Sequence, residues 1–177
     1  MNKNNRPGEE ERKHFNHSVL LAFGSNLGNK KSNIEKALIL LAADSSVQIT
    51  HQSSFYETAP WGKTKQPSFI NSAAVLETSL EPDALLDLIK HIEIIGGRQK
   101  RERWFEREID IDILLYDELI YKTGDLTIPH PEMHKRNFVL VPAAEIAASF
   151  YHPVLKKSIS ELLDKSRDTL EVKKSSV

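Results

Sequence analysis

The chain contains no cysteine. That excludes disulfides, thiolate nucleophiles, iron–sulfur clusters and cysteine-ligated zinc, and it suits a reducing compartment; a cytoplasmic location is expected. Charge of one sign is also missing: 24 basic and 25 acidic residues leave a formal net charge of -1. No global basic field therefore argues for nucleic acid or an anionic membrane surface. No apolar run approaches the ~20 residues that span a bilayer. The N-terminus is polar and has no apolar stretch of signal-peptide type.

What is present is 177 residues, 40% of them hydrophobic, enough for one domain with a real core. Residues 1–16 read as a flexible extension, 17–165 as a single domain and 166–177 as a frayed tail. Residues 18–24 form a continuous apolar run, a buried strand, followed by the turn GSNLGN. Ile34, Ala37, Leu38 and Leu41 recur at helical spacing, so 32–43 is an amphipathic helix. Residues 47–57 and 69–79 read as strands, separated by the Pro- and Gly-bearing loop 59–67. Pro82 opens a second helix, with Leu85, Leu86, Ile89 and Ile92 as its apolar face and Gly96-Gly97 as its end. A charged stretch, RQKRERWFERE, then leads into the strand REIDIDILLYD, and AAEIAAS is a later helix. The order is β-α-β-β-α-β, an α+β fold of ferredoxin-like type. Its antiparallel sheet carries helices on one face and leaves the other for a ligand or for more chain.

Strand side chains alternate between faces, so Ile109, Ile111 and Ile113 share one side and Asp110 and Asp112 the other. Two like charges then lie ~7 Å apart on one strand face. One reading is a strand with a wet face that happens to carry Asp. The other is a Mg²⁺ site, since hard divalent ions take oxygen ligands and are held by one or two carboxylates plus substrate phosphates. Arg98, Lys100, Arg101, Arg103 and Arg107 precede the pair closely. They either balance Glu102, Glu106 and Glu108 in a solvated loop or grip phosphate oxygens. Trp104 is core or a cover over a ligand. Phe69 and Asn71, two apart on one strand, offer a stacking ring and an amide to a flat heterocycle. His130 and His134 have i, i+4 spacing, but HPEMH is not HExxH and Pro131 intervenes, so His130 near Arg136 reads as a phosphate contact.

Several segments together resemble the 6-hydroxymethyl-7,8-dihydropterin pyrophosphokinase family of folate biosynthesis. They are SSFYETAPWG, QPSFINSAAVLET, the loop from Gly97-Arg98 to Arg103-Trp104, EIDIDILLYD and LTIPHPEMHKRNFVLVP, in order over roughly residues 18–160. The resemblance implies transfer of pyrophosphate from ATP to a pterin alcohol, with two Mg²⁺ ions and ATP as co-substrate. It implies Asp110 and Asp112 as metal ligands, and Arg103 and Arg107 beside them as catalytic. Thr58, Ala59, Trp61, Phe69, Asn71, Trp104 and Phe138 would take the pterin, the two phenylalanines sandwiching it. Glu93, Lys100, Arg101, Arg103, Trp104, Arg107, Ile113, Thr127, His130 and Arg136 would take ATP. No nucleic acid, membrane or obligate protein partner is implied. Two rivals remain at the level of sequence. One is another two-metal nucleotidyl enzyme on a similar sheet, which has no use for a pterin sandwich. The other is an RNA-binding module, which would need a basic face with surface aromatics.

Overall fold

The computed structural model describes residues 15–60, 67–97 and 107–175. Along them run ten strands, four α-helices and a short 3-10 helix at Met133–Lys135. β1 (His17–Ser25) leads to α1 (Lys30–Ala43), capped by the Asn29 side chain, which accepts from the Ser32 amide at 3.2 Å. β2 (Val47–Gln52), β3 (Tyr56–Thr58) and β4 (Phe69–Thr78) follow. α2 (Pro82–Ile95) has Pro82 in its first turn and stops at Gly96 and at Gly97, whose φ of +91° suits glycine. β5 (Asp110–Tyr116) carries the aspartates. The short strands β6 (Tyr121–Lys122) and β7 (Thr127–Ile128) pair with each other, and α3 (Asn137–Ala147) follows. β8 (Tyr151–His152) and β9 (Lys157–Ser158) form a second small ladder before α4 (Ile159–Asp164) and β10 (Val172–Lys174).

The main sheet is antiparallel and six-stranded, ordered β10-β3-β4-β1-β5, with β2 also on β4. β2 and β3 share one edge of β4: β2 pairs with its residues 74–78 and β3 with 69–71. This is a mixed helix and antiparallel-sheet fold with more strands than the four expected. The single strand expected over 47–57 is two strands. The break falls at Ser53, whose Oγ accepts the Ala73 amide at 2.8 Å, and at Ser54, whose amide turns away to the Glu145 carboxylate at 2.7 Å.

Both faces of the sheet are covered, not one. Val19, Leu21, Phe23, Ile109, Ile111 and Ile113 meet α1 and α2 on the first face. Leu20, Ala73, Val75, Leu114 and Leu115 meet α3 and α4 on the second. Opposite Leu20 and Leu21 stand Leu115 and Ile113, so Leu114 is an extra residue in β5. This bulge turns both leucines towards α3. The face left for a ligand or for more chain is therefore filled at one end by more chain. The helix expected at AAEIAAS begins earlier, at Asn137, and takes in FVLVP with Pro142 inside it. The tail expected to be frayed instead supplies β10, because Val172–Lys174 finds the free edge of β3. Among the described residues, no helix is long and apolar enough to cross a membrane.

Candidate active site

The uncovered end of the second face is built by register. Asp110 stands opposite Gly24 of β1, Gly24 opposite Asn71 of β4, and Asn71 opposite Tyr56 of β3. Paired residues of an antiparallel sheet point to the same side, so Asp110, Asp112, Asn71 and Phe69 share one face. Gly24 leaves the floor between the acid and the amide bare. A Cβ there would sit 3.6 Å from Asn71 Oδ1. Asn71 is buried and donates through Nδ2 to Thr58 Oγ1 at 2.9 Å, which fixes which way the amide points. Ala59 is exposed just beyond β3.

The aspartates sit in a mixed field. Arg107 donates through Nη1 to Asp110 Oδ2. Burial, then the neighbouring Asp110 carboxylate, push the Asp112 carboxyl up to about 7, against the opposing pull of Arg136; Glu93 raises it further and Arg107 lowers it. A cation beside the pair would offset the repulsion that raises Asp112. The donor set fits Mg²⁺: oxygen ligands only, and no cluster of three or more His, Cys, Asp or Glu among the described residues that would complete an all-protein cage. A hard ion held here would draw its remaining ligands from a phosphate chain or from water.

His130 is neutral. Desolvation, then the Arg136 charge, lower it to about 4. Its Nδ1 accepts the Glu132 amide at 3.2 Å, so the ring proton resides on Nε2. Its own amide donates to the Leu114 carbonyl at 2.9 Å, which seats it beside β5. Arg136 lies with its guanidinium 5.8 Å from the centre of the Phe138 ring, at the start of α3. Thr127 is half-buried in β7, next to β5. Glu93 is buried on α2 and accepts the Ile111 amide at 2.9 Å, so one of its oxygens serves the strand's backbone. The Ile113 side chain lies in the core under α1 and α2, away from the aspartate face, leaving its backbone for any ligand there. Trp61, Lys100, Arg101, Arg103 and Trp104 lie outside the described residues.

Sequence reasoning missed the anchors of the Asp strand. Asn26 clamps Arg107 from both sides: its amide donates to the Arg107 carbonyl at 3.1 Å and its Oδ1 accepts the Arg107 amide at 2.7 Å. Ser25 Oγ and Asn33 Nδ2 both donate to the Glu108 carbonyl, at 2.6 and 2.9 Å. The turn GSNLGN thus holds the segment that enters β5. Its only signal in the sequence was its density of small polar residues.

The family of 7,8-dihydro-6-hydroxymethylpterin-pyrophosphokinase (HPPK) matches residues 20–148. The chain belongs to this family. It is 40% identical to the 2-amino-4-hydroxy-6-hydroxymethyldihydropteridine pyrophosphokinase of Haemophilus influenzae over 156 residues, 88% of this chain and 97% of that one. Against the Bacillus subtilis protein of the same name it is 42% identical, covering 75% of this chain and 79% of that one. A longer relative, the folic acid synthesis protein FOL1 of Dictyostelium discoideum, is 47% identical over 79% of this chain but only 21% of its own length. Among solved structures, wild-type Plasmodium falciparum HPPK-DHPS with SDX-DHP superposes with a TM-score of 0.66 over 84% of this chain. At 16% identity that likeness concerns the fold, and this chain spans 44% of the Plasmodium one.

Proposed function

We propose that the chain carries out its family's reaction, transferring pyrophosphate from ATP to the hydroxymethyl group of 6-hydroxymethyl-7,8-dihydropterin and releasing AMP, on the face that bears Asp110 and Asp112. The observation that carries this reading is the register Asp110–Gly24–Asn71. It sets a carboxylate pair suited to cations beside an amide suited to a heterocycle edge, across a floor with no side chain. The strands β5-β1-β4-β2, joined through α1 and α2, make the ferredoxin-like frame beneath it.

Asp110 and Asp112 would hold two Mg²⁺ ions, and bound Mg²⁺ supplies charge neutralisation at the phosphates. The chain's own groups do the rest. Arg107, bonded to Asp110, and Arg136, whose charge acts on Asp112, add fixed positive charge beside the carboxylates. His130 offers a neutral Nε2–H donor to a phosphate oxygen. Phe69 and Phe138 stack on the two faces of the pterin while Asn71 reads its edge. Held this way, the hydroxymethyl oxygen gives up its proton to solvent and forms a bond to the β-phosphorus as the bond from that phosphorus to the AMP oxygen breaks. Such transfer relies chiefly on positioning and electrostatics.

The test is incubation with ATP, Mg²⁺ and 6-hydroxymethyl-7,8-dihydropterin, with products identified by mass. AMP and a pyrophosphorylated pterin in equal amounts are expected. AMP formed equally well without the pterin would favour a different nucleotidyl enzyme and overturn the assignment.

A further inference from the structure

The first turn of α3 has no cap of its own: Arg136, at its N-cap position, makes no side-chain capping bond, and the first turn holds no acidic residue. The cap comes from 31 residues further along the chain. Asp168 Oδ2 accepts the Asn137 amide at 2.7 Å, and the Asp168 carbonyl accepts Asn137 Nδ2 at 2.9 Å. The other carboxylate oxygen, Oδ1, accepts the Leu170 amide at 3.0 Å, and Ser166 Oγ accepts the Asp168 amide at 3.2 Å. Asp168 is thus fixed within its own turn while it grips the residue beside Phe138.

Four residues later the same segment enters the sheet. Val172 stands opposite Thr58, which stands opposite Phe69. Lys174 Nζ reaches Glu145 of α3 at 3.0 Å, and the Ser175 amide donates to the Phe55 carbonyl at 2.8 Å. The Glu145 carboxylate also takes the Ser54 amide and hydroxyl, at 2.7 and 2.8 Å, and the Tyr56 hydroxyl at 3.1 Å. One end of the segment therefore holds the start of α3, and the other holds the strand that orients Asn71 through Thr58. Four residues of chain span at most ~14 Å, so the link limits how far the two walls can part.

We infer that residues 168–175 act as a positioning strap, setting the gap between the Phe138 wall and the Phe69–Asn71 wall to the thickness of one flat heterocycle. The inference rests on the reading above that these walls hold the pterin. Asp168 touches neither substrate; it acts through Asn137 and α3. A strap of this kind acts on one substrate. Loosening it opens the pterin slot and leaves the aspartate pair, which is anchored through Asn26, Ser25 and Asn33, in place.

The experiment compares steady-state kinetics of wild type, Asp168→Ala, Asp168→Asn and Phe138→Ala, with melting temperatures alongside. Asp168→Ala, which removes the acceptors of both the Asn137 and the Leu170 amide, is expected to raise KM for the pterin about fivefold, on the scale set by loss of a helix cap. KM for ATP should rise less than KM for the pterin, because only Arg136, next to Asn137, is shared with the phosphate side while Asp110 and Asp112 keep their own anchors. Asp168→Asn keeps one acceptor oxygen, enough for the Asn137 amide but not for the Leu170 amide as well, and should raise the pterin KM less than Asp168→Ala does. Equal rises in both KM values, or an unchanged pterin KM in Asp168→Ala while Phe138→Ala weakens the pterin, would overturn the strap and leave the site assignment standing. A Phe138→Ala variant with normal pterin KM would instead remove the pterin slot itself, and the strap with it.

Discussion

Arg107 donates through Nη1 to Oδ2 of Asp110, three residues ahead of it, while its own backbone is clamped by Asn26. The pairing places a guanidinium against the carboxylates before any substrate arrives. Both side chains are partly open to solvent, so the ion pair itself contributes little to stability, about 0–1 kcal/mol. Its value lies in where it leaves the charge.

Arg107→Lys should therefore melt near wild type yet lose at least about tenfold in turnover, a barrier increase of ~1.4 kcal/mol. Lysine keeps the charge but not the planar fork that can serve a carboxylate and a phosphate together. Turnover and melting temperature measured on the same preparation decide the matter. A lysine variant with wild-type turnover would reduce Arg107 to a counterion for Asp110.

Asp112 carries a pH signature. Its carboxyl is raised from 3.8 to about 7, so its contribution to stability is fully present below pH 3.8 and is lost as the pH rises through about 7. His130 works in the opposite sense. Lowered from 6.5 to about 4, it contributes fully above pH 6.5, and that contribution is lost as the pH falls through about 4. The two slopes partly cancel in the wild type, so the informative quantity is a difference. In EDTA, Asp112→Asn should melt at or above the wild-type temperature at pH 8, with the advantage gone at pH 4. Mg²⁺ should close the gap at pH 8 by stabilising the wild type. A variant less stable than wild type at pH 8 without metal would mean that the carboxylate is not under strain there.

The face that carries the aspartates, and the helices behind it, were legible in the residue pattern. The period of two in β5 placed Asp110 and Asp112 on one face, and the helical spacing of Ile34, Leu38 and Leu41 gave α1. The end of α2 at Gly96-Gly97 was equally plain. What escaped had no periodic signal. FVLVP is a short apolar run with a proline, with no helical spacing of its own, yet α3 starts just before it, at Asn137, capped by Asp168 from a distance. VKK is too short and too charged to announce a strand, but backbone pairing with β3 asks nothing of its side chains. Glu93 was expected at ATP, and no pattern could reveal that Ile111's amide would need its oxygen. The β5 bulge at Leu114 likewise follows from packing against α3.

Glu93 gives a third test. Removing its carboxylate strands the buried Ile111 amide, and an unsatisfied buried donor costs ~1–3 kcal/mol. Glu93→Ala should lower the urea midpoint by a corresponding amount, whereas Glu93→Gln retains a carbonyl oxygen and should recover most of it. If Glu93→Ala unfolds at the wild-type urea concentration, the bond to Ile111 contributes nothing and Glu93's role lies wholly with the ligand.

His130 tests the electrostatics of the proposed phosphate contact. Burial and Arg136 keep its ring neutral, and the Glu132 amide occupies Nδ1, so Nε2–H is the one proton it can offer. A neutral donor suits this place: a charged imidazolium would repel Arg136, while a ring with its proton on Nδ1 would present a lone pair to phosphate. Nitrogen-detected NMR, with the signal assigned by its loss in His130→Gln, should show the Nε2–H tautomer from pH 8 down to about pH 5, well below the ordinary histidine range near 6.5. Glutamine carries an amide N–H and an acceptor oxygen, so His130→Gln should bind ATP more tightly than His130→Ala, which loses both bonds. Direct titration of the ring near pH 6.5 would show that it is neither buried from water nor pressed by Arg136. In that case its contact to phosphate would weaken as the pH rises, and ATP binding measured by calorimetry at pH 5.5 and 8 would reveal the difference.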